Sequence, residues 1–67
     1  MECNKVIKKM LSGDIRTTEN LFGAFCLFAN GLSDMDTVMR IAFEEKINLA
    51  EELSKNNIDF KLVVSRK

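Results

Sequence analysis

Leu21-Phe22-Gly23-Ala24-Phe25-Cys26-Leu27-Phe28-Ala29 is a run of nine residues without a charge or a strong hydrogen-bonding side chain, and it holds three of the five phenylalanines of a 67-residue chain. Wound as a helix it is apolar on nearly every side, so more than one neighbouring surface must cover it. A start signal precedes it. Thr17 or Thr18 offers a hydroxyl to the exposed amides of a first turn, and Glu19 suits the positive end of the helix dipole. A stop signal follows at Asn30-Gly31, two residues that tolerate positive φ. The run is therefore expected to be a helix ending at Ala29 or Asn30, with a buried strand as the alternative. Gly23 in its middle costs about 1 kcal/mol relative to alanine, and close approach of another backbone is the expected compensation.

Two flanking segments offer apolar faces to cover it. Cys3, Val6, Ile7, Met10 and Leu11 follow the i, i+3, i+4, i+7, i+8 spacing of one helix face. Lys5, Lys8 and Lys9 fall mostly off that face, and Ser12-Gly13-Asp14 supplies the stop. Beyond the central run, Ser33-Asp34-Met35-Asp36 resembles a capping sequence. One long helix over residues 34–55 is expected after it, with Met35, Val38, Met39, Ala42, Phe43, Ile47, Leu49, Ala50 and Leu53 covering half the cylinder. Asp36 with Arg40 and Glu51 with Lys55 are acid-first i, i+4 pairs. Two residues break the pattern, Lys46 on the apolar face and Ile41 on the polar one. Lys46 is read as a stem lying over apolar neighbours with its ammonium in water, and Ile41 as a single exposed apolar residue.

After Asn56-Asn57, the residues Ile58, Phe60, Leu62 and Val64 alternate with period two in a β-branched and aromatic setting, a strand signature. No second segment alternates. A single strand needs its backbone amides paired by a twin chain or a partner, unless the segment is merely extended and packed on the helices. The expected fold is thus mainly α: one small domain over residues 1–67, three helices and a C-terminal β-strand or extended segment. A core of this size is marginally stable unless something else helps.

Composition narrows the function. Apolar residues make up 46% and charged residues 30%, which are the proportions of a folded chain. Two cysteines, Cys3 and Cys26, and no histidine make neither a disulfide framework nor a zinc site. They read as reduced, small apolar residues, and the expected location is the cytoplasm. The apolar run is about half as long as a membrane span, and no membrane association is expected. Acid/base catalysis lacks a histidine, and Gly13, Gly23 and Gly31 are too far apart for a phosphate loop, so no catalytic residue, metal or cofactor is expected.

Formal charge is zero but unevenly spread, at net +2 over residues 1–16, −5 over 17–54 and +3 over 55–67. Glu44, Glu45, Glu51 and Glu52 with Asn48 form a stripe on the long helix. It is read first as a solvated face, and second as a surface that docks a basic target or mimics phosphates. A helix-turn-helix with Asn30-Gly31-Leu32-Ser33 as its turn is disfavoured, because the reading helix would carry six acids against three bases. Should nucleic acid be bound, Lys5, Lys8, Lys9, Lys61, Arg66 and Lys67 are the candidates.

The preferred expectation is a non-enzymatic regulatory or inhibitory module that occupies a surface of a larger protein partner, with a homodimer as a related form. Small chains of this kind are often phage or bacterial accessory proteins. An over-apolar helix and an unpaired strand both ask for partner surface, so the expected contact residues are Phe22, Phe25, Phe28, Leu32, Phe60 and Leu62.

Overall fold

The structure is a computed structural model that describes residues 2–64, the side chain of Glu2 apart. These residues form a small all-helical domain of five helices: α1 (Glu2–Ser12), α2 (Glu19–Ala29), α3 (Met35–Glu44), α4 (Leu49–Lys55) and α5 (Phe60–Val64). The central run is helical as expected. Thr18 is its N-cap, its side chain accepting from the Leu21 amide at 3.2 Å. α2 packs on α3 and on α1, while α5 closes the domain against α1 and α4.

The first four helices end in the same way. The chain takes positive φ at Gly13 (87°), Gly31 (75°), Lys46 (59°) and Asn57 (60°). The next residue then donates its N–H to the carbonyl five residues back: Asp14 to Lys9 (2.9 Å), Leu32 to Leu27 (2.8 Å), Ile47 to Ala42 (2.8 Å) and Ile58 to Leu53 (2.9 Å). A second bond in each case runs from the positive-φ residue to the carbonyl three back. This is the Schellman closure, which occupies carbonyls that a helix end otherwise leaves bare. Gly13 and Gly31 adopt the conformation without steric cost, and asparagine tolerates it.

Lys46 corrects the expectation of one long helix. A straight helix over residues 34–55 would measure about 33 Å, more than the 25 Å of the domain's longest dimension. The chain instead closes α3 at Lys46, buries Ile47, and restarts at Asn48, whose side chain accepts from the Glu51 amide at 3.1 Å. The lysine in the apolar stripe marks a helix end, and Ile47, Leu49 and Leu53 reach the core from the second segment. Of the two helical ion pairs expected, Glu51–Lys55 forms at 3.6 Å. Among the described residues Asp36 and Arg40 form no ion pair.

The C-terminal strand is also corrected. Residues 60–64 are helical, and among the described residues there is no strand. An isolated strand leaves its amides unpaired, whereas here the Asp59 carboxylate accepts from the Lys61 amide at 2.9 Å and the Asp59 carbonyl from Leu62 and Val63. Ile58 and Val63 are buried, Phe60 is half-buried, and Leu62 faces out. That order does not follow a two-residue period.

The core gathers Leu21, Phe25 and Phe28 of α2 with Cys3, Val6 and Met10 of α1, Val38 and Ala42 of α3, Leu49 and Leu53 of α4, and Val63. Ile15, in the α1–α2 connection, is 1% exposed and was not anticipated from spacing. Polar groups of α4 hold that connection down. The Arg16 amide donates to Glu52 Oε1 at 3.1 Å, and Asn56 Nδ2 donates to the Asp14 carbonyl at 3.2 Å.

Two outcomes follow from the closures and caps. Lys46→Gly should raise stability by about 0.5–1 kcal/mol in chemical denaturation, because it relieves a left-handed lysine; an uninterrupted helix would instead lose about 1 kcal/mol. Asp34 caps α3 through hydrogen bonds from the Thr37 amide and hydroxyl, both 2.9 Å. The Thr37 amide bond is the main cause of its lowered pKa. A depressed carboxyl contributes stability above its unfolded value, near 3.8, and loses it as pH falls through the folded one. Asp34→Asn keeps a capping oxygen but should lose this share of the acid-induced fall in Tm, measured by melting as a function of pH.

Candidate interaction surface

The phenylalanines divide between core and surface. Phe25 and Phe28 are 0% and 3% exposed, with ring centroids 5.7 Å apart and planes tilted by 59°. That tilted geometry is favourable for an aromatic pair. Neither ring can serve as a contact residue in the folded chain. Phe22 and Phe60 are half-buried against the core, while Leu32 and Leu62 are exposed. The six residues expected to meet a partner are thus not brought together as one patch: two are core, two lie at its margin, and two face solvent, Leu32 from the α2–α3 loop and Leu62 from α5.

Phe43 was missed. It is 84% exposed in the last turn of α3, where the helical wheel of an unbroken helix turned it toward the core. Beside it, Met39, Ala42, Ile47 and Leu49 line an open hollow of about 630 Å³ at the corner between α3 and α4. Lys46 lies on the rim of this hollow. The sequence carries no clear signal for this, because the helix end that leaves Phe43 exposed in the last turn of α3 is made by a left-handed lysine, Lys46.

A second groove of about 640 Å³ runs between α2 and α3. Gly23, Ala24 and Leu27 line it from α2, and Ile41 from α3. Gly23 is exposed, and a Cβ there would meet nothing within 4 Å, so the close backbone approach expected at this glycine does not occur. Glu19, Glu44 and Glu45 stand along the same groove.

The acidic stripe expected on one helix is broken up. Asn48 caps α4, Glu51 and Glu52 lie within 3.6 and 3.8 Å of Lys55, and Glu52 also accepts from the Arg16 amide. Among the bases, Lys9 pairs with Asp14 at 3.6 Å, whereas Lys5, Lys8 and Lys61 are exposed. α1 and α5 pack together, so these lysines sit on adjacent elements. Arg66 and Lys67 lie outside the described residues. Among the described residues, no group of three or more Cys, Asp or Glu stands close enough to hold a metal, and no helix is long and apolar enough to cross a membrane.

No family model matches the chain, and neither do curated proteins or solved structures.

Substitutions separate core from surface. Phe25→Ala should cost about 3–5 kcal/mol, comparable to the whole stability of roughly 3–10 kcal/mol for a domain this size. Phe43→Ser should change stability by less than about 0.5 kcal/mol, and Gly23→Ala should raise it by about 1 kcal/mol. Denaturant titration of the three variants checks the order.

Proposed function

We propose that this chain is a non-enzymatic interaction module that regulates or inhibits a larger protein by occupying part of its surface. The observation that carries this reading is Phe43, a large aromatic side chain 84% exposed beside an apolar hollow lined by Met39, Ile47 and Leu49. Phenylalanine is ordinarily among the more buried residues, and apolar patches beside a concavity commonly mark contact sites. An aromatic ring next to such a hollow is the kind of anchor on which binding energy concentrates. Nothing in the packing of the domain requires the ring to be there. Its own stability would be served as well by a polar residue at this exposed position.

Exposed Leu32 and Leu62, with Phe22 and Phe60 at the core margin, remain secondary contact candidates on other faces. Self-association through the Phe43 face is the related form. Nucleic-acid binding is a second reading, supported by the neighbouring placement of the α1 and α5 lysines. The acids exposed elsewhere oppose it.

The test compares the immobilised wild-type chain with Phe43→Ser in lysate of the source organism, alongside light scattering and a low-salt DNA column. Wild type should retain a defined protein that the variant loses, remain monomeric when partner-free, and flow through the DNA column. Equal retention by both chains would remove Phe43 from the interface. Salt-dependent retention on DNA would favour the second reading.

A further inference from the structure

We infer that the groove between α2 and α3 receives a cationic amphipathic helix from the partner protein, apolar side against Gly23, Leu27 and Ile41, basic side toward Glu19, Glu44 and Glu45. This rests on the interaction-module reading and adds the chemistry of what is bound. It places the contact next to the Phe43 hollow, and Glu44 borders both.

The apolar part is open. Leu27 is 48% exposed, Ile41 is half-buried, and the missing side chain of Gly23 leaves a notch halfway along α2 with nothing within 4 Å of where a Cβ would be. A glycine in a helix interior is destabilising, and no packing inside this chain calls for it. A helix laid in the groove would have room to approach α2 most closely at that point.

The charged part carries one sign. Glu19 opens α2, Glu44 ends α3 and Glu45 caps it, and all three border the groove, which no lysine or arginine lines. Every ion pair among the described residues involves other acids: Lys9 with Asp14, and Lys55 with Glu51 and Glu52. Arg40 lies one turn before Glu44 and forms no ion pair among the described residues. Glu44 and Glu45 also stand at the negative end of the α3 dipole, where a carboxylate is locally unfavourable. An arrangement that disfavours the free domain is relieved by a basic occupant. Complementary charge of this kind also speeds association and rejects acidic partners.

The form of the occupant follows from the walls. Two helices with an apolar floor between them make a helix-in-groove site, and no sheet edge exists among the described residues to take an extended strand. Phosphate backbones and anionic membranes are repelled by the three carboxylates. Among the described residues of a second copy, α1 is basic but spends Cys3, Val6 and Met10 in its own core, and α5 is five residues long with Lys61 as its one base and Val63 buried. A helix from another protein is therefore the occupant proposed.

The probes are two designed amphipathic peptides of identical pattern, one of leucine and lysine, the other of leucine and glutamate. They are titrated into the isotope-labelled full chain and followed by amide chemical shifts. The lysine peptide should bind and move the amides of Gly23, Leu27 and Ile41. Glu44→Lys combined with Glu45→Lys should weaken it about tenfold at low salt. Gly23→Leu, shown folded by circular dichroism, should block it, while Phe43→Ser should leave it unchanged. Equal binding of the glutamate peptide, or no binding of the lysine peptide, would overturn the proposal. So would self-association of the free chain through the same amides. Shifts centred on Met39 and Phe43 would overturn the groove assignment while leaving the interaction-module reading standing.

Discussion

A backbone N–H reaching back five residues to a carbonyl ends each of the first four helices, and the shape of the domain depends on those four bonds. Each closure needs one residue in the left-handed region, which reverses the chain after two or three helical turns. Short helices are marginal alone, so each must be both closed and packed. Here the residue after each of the second, third and fourth reversals is apolar: Leu32, Ile47 and Ile58. Two of these three, Ile47 and Ile58, are buried in the core. At Lys46 and Asn57 the closure and the packing are therefore one event, in which the turn that satisfies the carbonyls also delivers a side chain to the interior.

The break at Lys46 reorganises the electrostatics as well as the path. On a continuous helix the four glutamates after Phe43 would share one solvated face. Divided, the second pair enters the first turn of α4, near the positive end of its dipole, and becomes structural through Lys55 and the Arg16 amide. The first pair stays at the end of α3, lines the same groove as Glu19 and forms no ion pair among the described residues. Two glutamate pairs that look alike in sequence thus come to differ in kind. One is paired within the fold, through Lys55 and the Arg16 amide, and the other lines the groove proposed to take a basic helix.

Much of the fold was legible. The α2 boundaries, the α1 face except for Leu11, which is 72% exposed past the last core turn, the Gly13 and Gly31 stops and the Thr18 cap followed from periodicity and end chemistry. The failures have a common cause. Lys46 is a poor sequence marker for a left-handed turn, because lysine adopts that conformation only where the surrounding bonds and packing repay the strain. Residues 58–64 alternate like a strand, but alternation describes a sheet only where another strand exists to pair with it. The candidate surface was less legible still. Phe25, Phe28 and Phe43 are chemically identical, and only the position of a helix end sends two inward and one outward.

By itself the sequence determined that this is a small, mainly helical chain with α2 at its centre, since a run of nine uncharged residues bounded by a cap and a glycine has few other stable arrangements. It also determined the acidic middle and basic ends. Tertiary structure alone decided where the long apolar stripe is cut, because the left-handed Lys46 closes α3 and turns Ile47, Leu49 and Leu53 into the core from a second segment. Beyond the cut Phe43 stands exposed, and Glu44 and Glu45 line the groove that Glu19 and Gly23 line from α2. Local pattern specifies which faces are apolar; the distance between them in space specifies which of those faces remain uncovered.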